Sequence, residues 1–393
     1  MPEKVVNFES KSSNSSSIRI LRIIARMNVG GPAIEVYNLM TKLDRNKFEQ
    51  CLVTGFCEEN ELEFLESKEV DFAIKRIEGL GRQVRLFSDI KAFFALRKLM
   101  RDFKPVIIHT HTAKAGVLGR LASVSLLKGH IRVHTFHGHV LSGYFSRFNT
   151  FIITWIERTL ALGTKYLISV GSSVRDELIA AKVGNLENFR IIAPGIDFVN
   201  LNNTFPIRDQ LAIPESITVI CWIGRFVQIK RPERVLELAK FLAEIDKTLI
   251  FLMVGDGPMR AELEEESNRL NLPIRFMGWR KDIGAILKSS DMLILTSENE
   301  GTPIVIMEAQ VLGIPVIATR VGSVTETMQH GQSGFVEHFN IEVFANHILE
   351  LAHNHKAREA MSQAAKTFAN ENHDVSTFLK KHEELYVELH GNS

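Results

Sequence analysis

Short runs of apolar, β-branched residues alternate along this chain with longer amphipathic stretches. Ile18–Ala25 (IRILRIIA) predicts a strand, followed by a Gly30-Gly31 turn and a helix from about Ala33. FEQCLVTG, VDFAIKRI, PVIIHTH, IRVHTFH, KYLISVG and FRIIAPG predict further strands, with helical stretches between most of them. Near-continuous apolar strands separated by helices indicate a parallel sheet covered on both faces. The pattern then pauses. Ile196–Ser216 is polar, holds two prolines and has no clear period. The alternation restarts with ITVICWIGR, TLIFLMVGDG, IRFMGW, DMLILTS and IPVIATRVG.

The expected class is therefore α/β with two Rossmann-like domains. They are expected over residues 18–203 and 216–372, joined by a linker over 204–215, with a charged amphipathic helix in 373–393. In open α/β sheets ligands bind beyond the carboxyl ends of the strands. Two such domains facing each other across a cleft is the simplest arrangement. The length of 393 residues agrees, being more than one core usually serves.

Composition narrows the class. The chain is 45% hydrophobic and 24% charged, as ordinary globular proteins are. A formal net charge of +1 argues against a nucleic-acid partner held by bulk charge. Cys51, Cys57 and Cys221 are too few and too unevenly spaced for a disulfide framework or a zinc site, which suggests a reducing compartment. MPEKVVNFESKSSNSSS lacks the apolar core of a targeting signal and reads as a disordered tail over residues 1–17. No apolar run is long enough to predict a membrane-spanning helix. The greasiest helical stretch, Phe151–Leu162, contains Glu157 and Arg158 and is expected to be a buried helix.

Charge is unevenly shared. Residues 1–200 hold 28 Lys+Arg against 20 Asp+Glu, which leaves 19 against 26 for the remainder. A basic half and an acidic half suggest an anionic surface facing the N-terminal half.

The candidate chemistry lies at predicted strand exits. SENEGTPIVIME follows DMLILTS, with Thr302 suited to a helix N-cap and Pro303 to the first helical position. Backbone N–H groups at Gly301, Thr302 and Ile304 would then offer an anion site at a helix start. Glu300 and Glu308 flank this turn. Carboxylates beside a phosphate site make sense if each accepts hydrogen bonds from a diol, as on a sugar nucleotide. The alternative is a capped helix whose glutamates face water. Arg225 and Lys230, in WIGRFVQIKRPE, could neutralise a diphosphate leaving group, or form a solvated loop. GDGP (Gly255–Pro258) and MGW (Met277–Trp279) are turns that allow close backbone approach, with or without a ligand.

Taken together, GRFVQIKRPE, VGDGP, FMGW, ENEGTPIVIMEA and GIPVIATRVGSVTETMQHGQSGF resemble, in order and spacing, the retaining nucleotide-sugar glycosyltransferases of family 4, with the GT-B fold. The resemblance covers nearly the whole chain from Ile18. It implies that Arg225 and Lys230 hold the donor diphosphate and that Glu308 binds the ribose hydroxyls. Glu300 would sit beside the transferred sugar, and Gly301, Thr302 and Pro303 would touch sugar and phosphate through their backbone. Gly278, in FMGW, would border the base. Gly30 and Gly31 resemble the family's glycine loop near the donor phosphates and the acceptor. HTFHGH resembles its second N-domain motif and points to His137 beside the sugar, with His134 and His139 as neighbours. The last helix would cross back to the N-domain. One departure is local: many relatives carry glycine after the lysine, where this chain has Arg231-Pro232.

The implied reaction is retaining transfer from a nucleotide-diphosphate sugar to a glycan or lipid-linked acceptor, such as a growing surface polysaccharide. Front-face attack is implied, with the leaving phosphate taking the acceptor proton. No metal or other cofactor is expected: there is no Asp-x-Asp motif, and the histidines lack metal-ligand spacing. The competing readings are a GT-B sugar-nucleotide epimerase and a non-catalytic sugar-binding protein. Gly81–Pro105 reads as a basic amphipathic helix, carrying Arg82, Arg85, Lys91, Arg97, Lys98, Arg101 and Lys104 against Asp89 and Asp102. Such a helix either covers a sheet or lies on anionic lipid. With a basic, acceptor-taking N-terminal half, the expectation is a cytoplasmic enzyme peripheral on the inner face of the cytoplasmic membrane.

Overall fold

The computed structural model describes residues 17–59, 61–81, 83–127, 129–138 and 147–391. The expected tail apart from Ser17, and the candidates Arg82 and His139, lie outside the described residues. Contacts group the chain into two units. One runs to Gly195 and resumes at Ser376; the other is Ile196–Val375.

The first unit contains β1 (Ile18–Ile24), α1 (Gly31–Lys42), β2 (Phe48–Thr54), β3 (Ala73–Arg76), α2 (Leu86–Phe103), β4 (Ile107–His111) and α3 (Ala113–Val124). It continues with β5 (Ile131–Phe136), α4 (Arg147–Leu162), β6 (Tyr166–Ser169), α5 (Ser172–Ala180) and β7 (Phe189–Ile191). The second contains α6 (Phe198–Asn202), β8 (Thr218–Ile223), α7 (Glu233–Ala243), β9 (Leu249–Val254), α8 (Arg260–Arg269), β10 (Ile274–Gly278) and α9 (Ile283–Lys288). It closes with β11 (Met292–Leu295), α10 (Ile304–Leu312), β12 (Val316–Thr319), β13 (Gly334–Glu337), α11 (Ile341–His353) and α12 (His355–Asn372). The final helix, α13 (Val375–Gly391), belongs with the first unit from Ser376 onward.

Seven parallel strands form the first sheet, in the order β3-β2-β1-β4-β5-β6-β7. β1 sits inside it, and its alternation sorts side chains between the two helical layers. Leu21 and Ile23 join the core that includes Leu96 of α2 and Ala115 of α3, whereas Ile24 joins the core of Ala33, Val36 and Met40 on α1. α2 buries Ala92, Leu96, Leu99, Met100 and Phe103, a single helical stripe. It stops at Lys104, which takes a left-handed conformation ahead of Pro105. α13 buries Phe378, His382, Leu385, Tyr386 and Leu389, with the Tyr386 ring edge-on to Phe48. At about 1.5–3 kcal/mol for each large side chain removed from water, that stripe fixes the helix on its sheet.

Two expectations need correction here. The stretch Phe151–Leu162 is not a buried helix. On α4, Phe151 is 66%, Trp155 61% and Leu162 90% exposed, while Glu157 is buried. Its inward side carries Glu157, paired with Arg120, together with Leu160 and Ala161. Nor is 204–215 a free linker. Ile213 packs in the core with Val219 and Cys221, and Ile207 with Val254 and Ile286.

The second sheet is also wholly parallel, ordered β10-β9-β8-β11-β12-β13. One face carries Val235 and Leu238 of α7 with Phe344 and Ile348 of α11. The other carries Ile306, Ala309 and Leu312 of α10. At the carboxyl end the loops after β8 and β9 lie backbone to backbone. The Gly224 amide donates to Val254 O at 3.0 Å, and the Phe226 amide to Asp256 O at 2.9 Å. Gly255 makes this approach possible. A Cβ there would stand 1.9 Å from Gly224 O, and φ is +132°. The turn GDGP thus approaches its neighbouring loop.

Gly255→Ala is expected to destabilise the protein by about 2 kcal/mol or more, since backbone must move to admit the methyl group. Gly81→Ala, where the nearest atom to a new Cβ is 3.6 Å away, is the control. Urea unfolding monitored by circular dichroism checks this; equal midpoints for both variants would contradict it.

Candidate active site

In the second unit three strand exits are tied together. The loop after β8 passes Arg225 and makes a 3-10 turn over Gln228–Lys230. The loop after β11 returns to it: the Glu298 amide donates to Ile229 O at 2.9 Å. Thr296 stitches the two, accepting from Trp222 Nε1 at 3.0 Å and lying 3.1 Å from the carbonyls of Lys230 and Arg231. The β12 exit joins through Thr319 Oγ1, which donates to Ser297 O at 2.7 Å, and through the Ser323 amide, which donates to Gly301 O at 3.2 Å.

Within this frame Lys230 Nζ lies 2.5 Å from Glu300 Oε1, and Ser297 Oγ donates to the same oxygen at 2.6 Å. Glu300 is 8% exposed. It is therefore not a glutamate facing water. Arg225 is exposed beside this pair in the chain. A cation and a carboxylate, both anchored by backbone, share one strand-exit cluster.

Arg231 explains how the loop manages without the relatives' glycine. It holds φ +51° and ψ 51°, the left-handed region that glycine enters without strain. Ion pairs to Glu233 and Glu298 hold its guanidinium, and Arg234 bonds Thr296 O at 2.8 Å. These pairs hold Arg231 in that left-handed conformation.

The helix start beyond β11 lies one residue later than expected. α10 begins at Ile304, and Pro303, with ψ 110°, is its N-cap residue and not its first helical one. The first turn closes with the Ile306 amide donating to Pro303 O at 3.1 Å. The N–H groups of Ile304 and Val305 thus precede the helix's own ladder, as at any helix start. Glu308 is half-buried and stands one turn in from Ile304, on the same face. Gly278 ends β10 with φ +63°, and its carbonyl accepts from the Gly255 amide at 2.8 Å. Trp279 follows it, 37% exposed.

The first unit carries a separate polar cluster. Gly30 caps α1 and Gly31 opens it, two residues before the expected start. Four residues after Gly31, Glu35 turns inward and lies 3.2 Å from His137 Nδ1. The other nitrogen of His137, Nε2, is 3.0 Å from His111 Nδ1. His134 instead bonds the Thr110 hydroxyl at 2.8 Å and belongs to the interior. Burial, then the Arg22 charge, holds the His109 imidazole well below its usual range; burial, then His109, does the same for His111. Among the described residues no three His, Cys, Asp or Glu side chains converge to hold a metal ion.

Of this cluster the sequence points to His137 alone, and not to Glu35, His111, Arg22 or Tyr386. The available signal was the His-x-His spacing in PVIIHTH, which puts His109 and His111 on one face of a strand. Tyr386 gave none, since it arrives from the far end of the chain.

Comparison with known proteins bears on both units. A family model described as "Glycosyltransferase Family 4" matches residues 29–199, and one described as "Glycosyl transferases group 1" matches 203–368. The chain is 28% identical over 320 residues to an Escherichia coli UDP-Gal:alpha-D-GlcNAc-diphosphoundecaprenol alpha-1,3-galactosyltransferase, covering 79% of this chain and 82% of that protein. It is 23% identical to the Staphylococcus aureus capsular polysaccharide biosynthesis glycosyltransferase CapM, covering 75% and 80%. Among solved structures, Anabaena HepE in complex with UDP and glucose aligns with a TM-score of 0.79 at 21% identity, over 94% of this chain and all of that one. The sucrose-phosphate synthase of Thermosynechococcus elongatus aligns with a TM-score of 0.82 at 18% identity, over 96% of this chain and all of that one. At such identities the structural matches speak for the fold.

Proposed function

The chain belongs to the family 4 glycosyltransferases of the GT-B fold, and on that premise we propose that it moves a hexosyl or N-acetylhexosaminyl group from a nucleoside-diphosphate sugar to a lipid-linked or growing surface-polysaccharide glycan. The observation that carries the donor assignment is the Lys230–Glu300 pair at the β8 and β11 exits, next to the start of α10. The undecaprenol-linked acceptor and the capsular polysaccharide in the names of the relatives support the acceptor class.

The residues divide the work by charge. In the reaction the anomeric carbon–oxygen bond to the diphosphate breaks and negative charge grows on the leaving oxygen. Lys230 and Arg225 oppose that charge, aided by the helix dipole and first-turn N–H groups of α10. With a diphosphate present, Lys230 exchanges its bond to Glu300 for one to phosphate. Glu300 is then released to accept from sugar hydroxyls. Glu308 accepts from the ribose hydroxyls, and the backbone at Gly278 borders the base. His137 lies beside the transferred sugar, with Gly30 and Gly31 near the phosphates. Transfer proceeds with retention by front-face attack: the acceptor oxygen bonds to the anomeric carbon, and its proton passes to the departing phosphate oxygen. Two cations and a helix terminus supply the positive charge, so no metal is required.

Membrane docking belongs to the same proposal. No helix of the described residues is long and apolar enough to cross a membrane. α2, however, exposes Leu86, Phe87, Ile90 and Phe94 alongside Arg85, Lys91, Lys98 and Arg101. α3 packs on both α2 and α4, and α4 exposes Phe151 and Trp155. Apolar side chains set among cations suit the interface of an anionic bilayer. The enzyme is then a cytoplasmic protein, peripheral on the membrane that holds its acceptor.

Two outcomes test this reading. Arg225→Ala and Lys230→Ala are each expected to lower transfer by about 100-fold or more with unchanged unfolding midpoints, while Glu308→Gln weakens free nucleotide binding by roughly tenfold. Activity assays and calorimetric titration measure these effects, and parental turnover in a folded Arg225/Lys230 double variant would remove the assignment. For docking, co-sedimentation with anionic vesicles is expected at low salt and should fade at high salt, and Phe87→Ser with Phe94→Ser should weaken it. Equal, negligible binding to neutral and anionic vesicles at low salt would rule it out.

A further inference from the structure

Arg22 lies at the centre of β1 and is fully buried, yet among the described residues its hydrogen-bond partners are all neutral. Its Nη1 is 3.0 Å from His109 Nδ1, 3.4 Å from His111 Nε2 and 3.1 Å from the Tyr386 hydroxyl, and Nη2 donates to Gln50 Oε1 at 2.8 Å. A buried charge without a counter-charge is costly, so the arrangement needs a reason. A carboxylate lies two imidazoles away. From Arg22 Nη1 the chain of contacts runs to His111 Nε2, from His111 Nδ1 to His137 Nε2 at 3.0 Å, and from His137 Nδ1 to Glu35 Oε1 at 3.2 Å. Glu35 is 4% exposed.

The two ends of this chain decide its polarity. A guanidinium can only donate hydrogen bonds and a carboxylate can only accept them. His111 Nε2 must therefore accept from Arg22, which puts the ring proton on Nδ1. That proton is donated to His137 Nε2, so His137 carries its own proton on Nδ1 and gives it to Glu35. No other placement of protons on two neutral rings satisfies all three contacts. A second branch obeys the same rule. The Tyr386 hydroxyl accepts from Arg22 Nη1 at 3.1 Å and donates to His109 Nδ1 at 2.7 Å, and His109 Nε2 donates to Thr135 Oγ1 at 2.8 Å. Burial keeps the inner rings neutral, in agreement with this scheme. Glu157, a carboxylate that lines the same small cavity as His137, is already bidentate to Arg120 at 2.9 and 2.7 Å. The lock therefore belongs to Glu35.

We propose that Glu35 and Arg22 are positioning residues that fix His137 as the Nδ1–H tautomer, so that its Nε2 meets a sugar hydroxyl only as an acceptor. The inference rests on the reading that His137 stands beside the transferred sugar. Its Nε2 lone pair, held by His111 in the free protein, is then the atom a hydroxyl competes for. A hydroxyl that donates is bound, and a group at that place that can only accept is rejected. Neither Glu35 nor Arg22 touches the sugar in this scheme; each acts through a ring.

The test uses the full chain with 15N-labelled histidine, and long-range nitrogen–proton NMR spectra at neutral pH. His137 in the free protein is expected to show a protonated Nδ1 and a bare Nε2, assigned by comparison with His137→Gln. Glu35→Leu should lose that pattern and lower kcat roughly tenfold with the KM for the donor little changed. Glu35→Gln, whose amide oxygen still accepts, should keep the tautomer and recover most of the rate. A protonated Nε2 in the parent, or an unchanged His137 spectrum in Glu35→Leu, would overturn the lock. The expected tautomers with parental kcat in a folded Glu35→Leu variant would leave the lock standing and remove His137 from the sugar site.

Discussion

A parallel sheet delivers every strand-exit loop to one edge, and the loops must then share that edge. In the second unit the sharing is settled by backbone bonds. The β8 loop lies against the β9 loop because Gly255 has no side chain, and the β11 loop is stitched to it through Thr296 and Glu298. Lys230 and Glu300 are 70 residues apart in sequence, and their 2.5 Å contact exists only because those loops are fixed. The chemistry proposed for the site depends on this constraint. A cation free to wander would have to be ordered at the moment of reaction, whereas one held by the frame opposes charge without reorganising.

Much of this arrangement was legible in the sequence, for identifiable reasons. Strand periodicity and glycine turns at strand exits are local signals, and they pointed to both sheets and to the strand-exit loops that carry Lys230 and Glu300. The helix start at α10 was misplaced by one residue, because Thr-Pro satisfies cap preferences in two registers and only ψ at Pro303 chooses between them. The exposure of α4 differs from expectation because nothing in its own sequence shows that Glu157 turns inward. The partner that pulls Glu157 inward, Arg120, lies 37 residues upstream. Tertiary pairing of this sort leaves no trace in periodicity.

The histidine cluster shows the same limit more sharply. Its members come from β1, α1, β4, β5 and α13, so no window of sequence contains the network. Yet its proton arrangement is not arbitrary. A donor-only end and an acceptor-only end leave the intervening rings a single consistent tautomer. The two units therefore rely on different devices. In one, a mobile cation is disciplined by backbone. In the other, an ambiguous ring is disciplined by buried charge.

The most direct measurement is a crystal structure of the full chain with an intact nucleoside-diphosphate sugar, chosen by a binding screen. The diphosphate is expected against Lys230, Arg225 and the first turn of α10, the ribose hydroxyls on Glu308, and the Lys230–Glu300 bond opened in favour of phosphate. A diphosphate that touches neither cation, with Lys230 still bonded to Glu300, would contradict it.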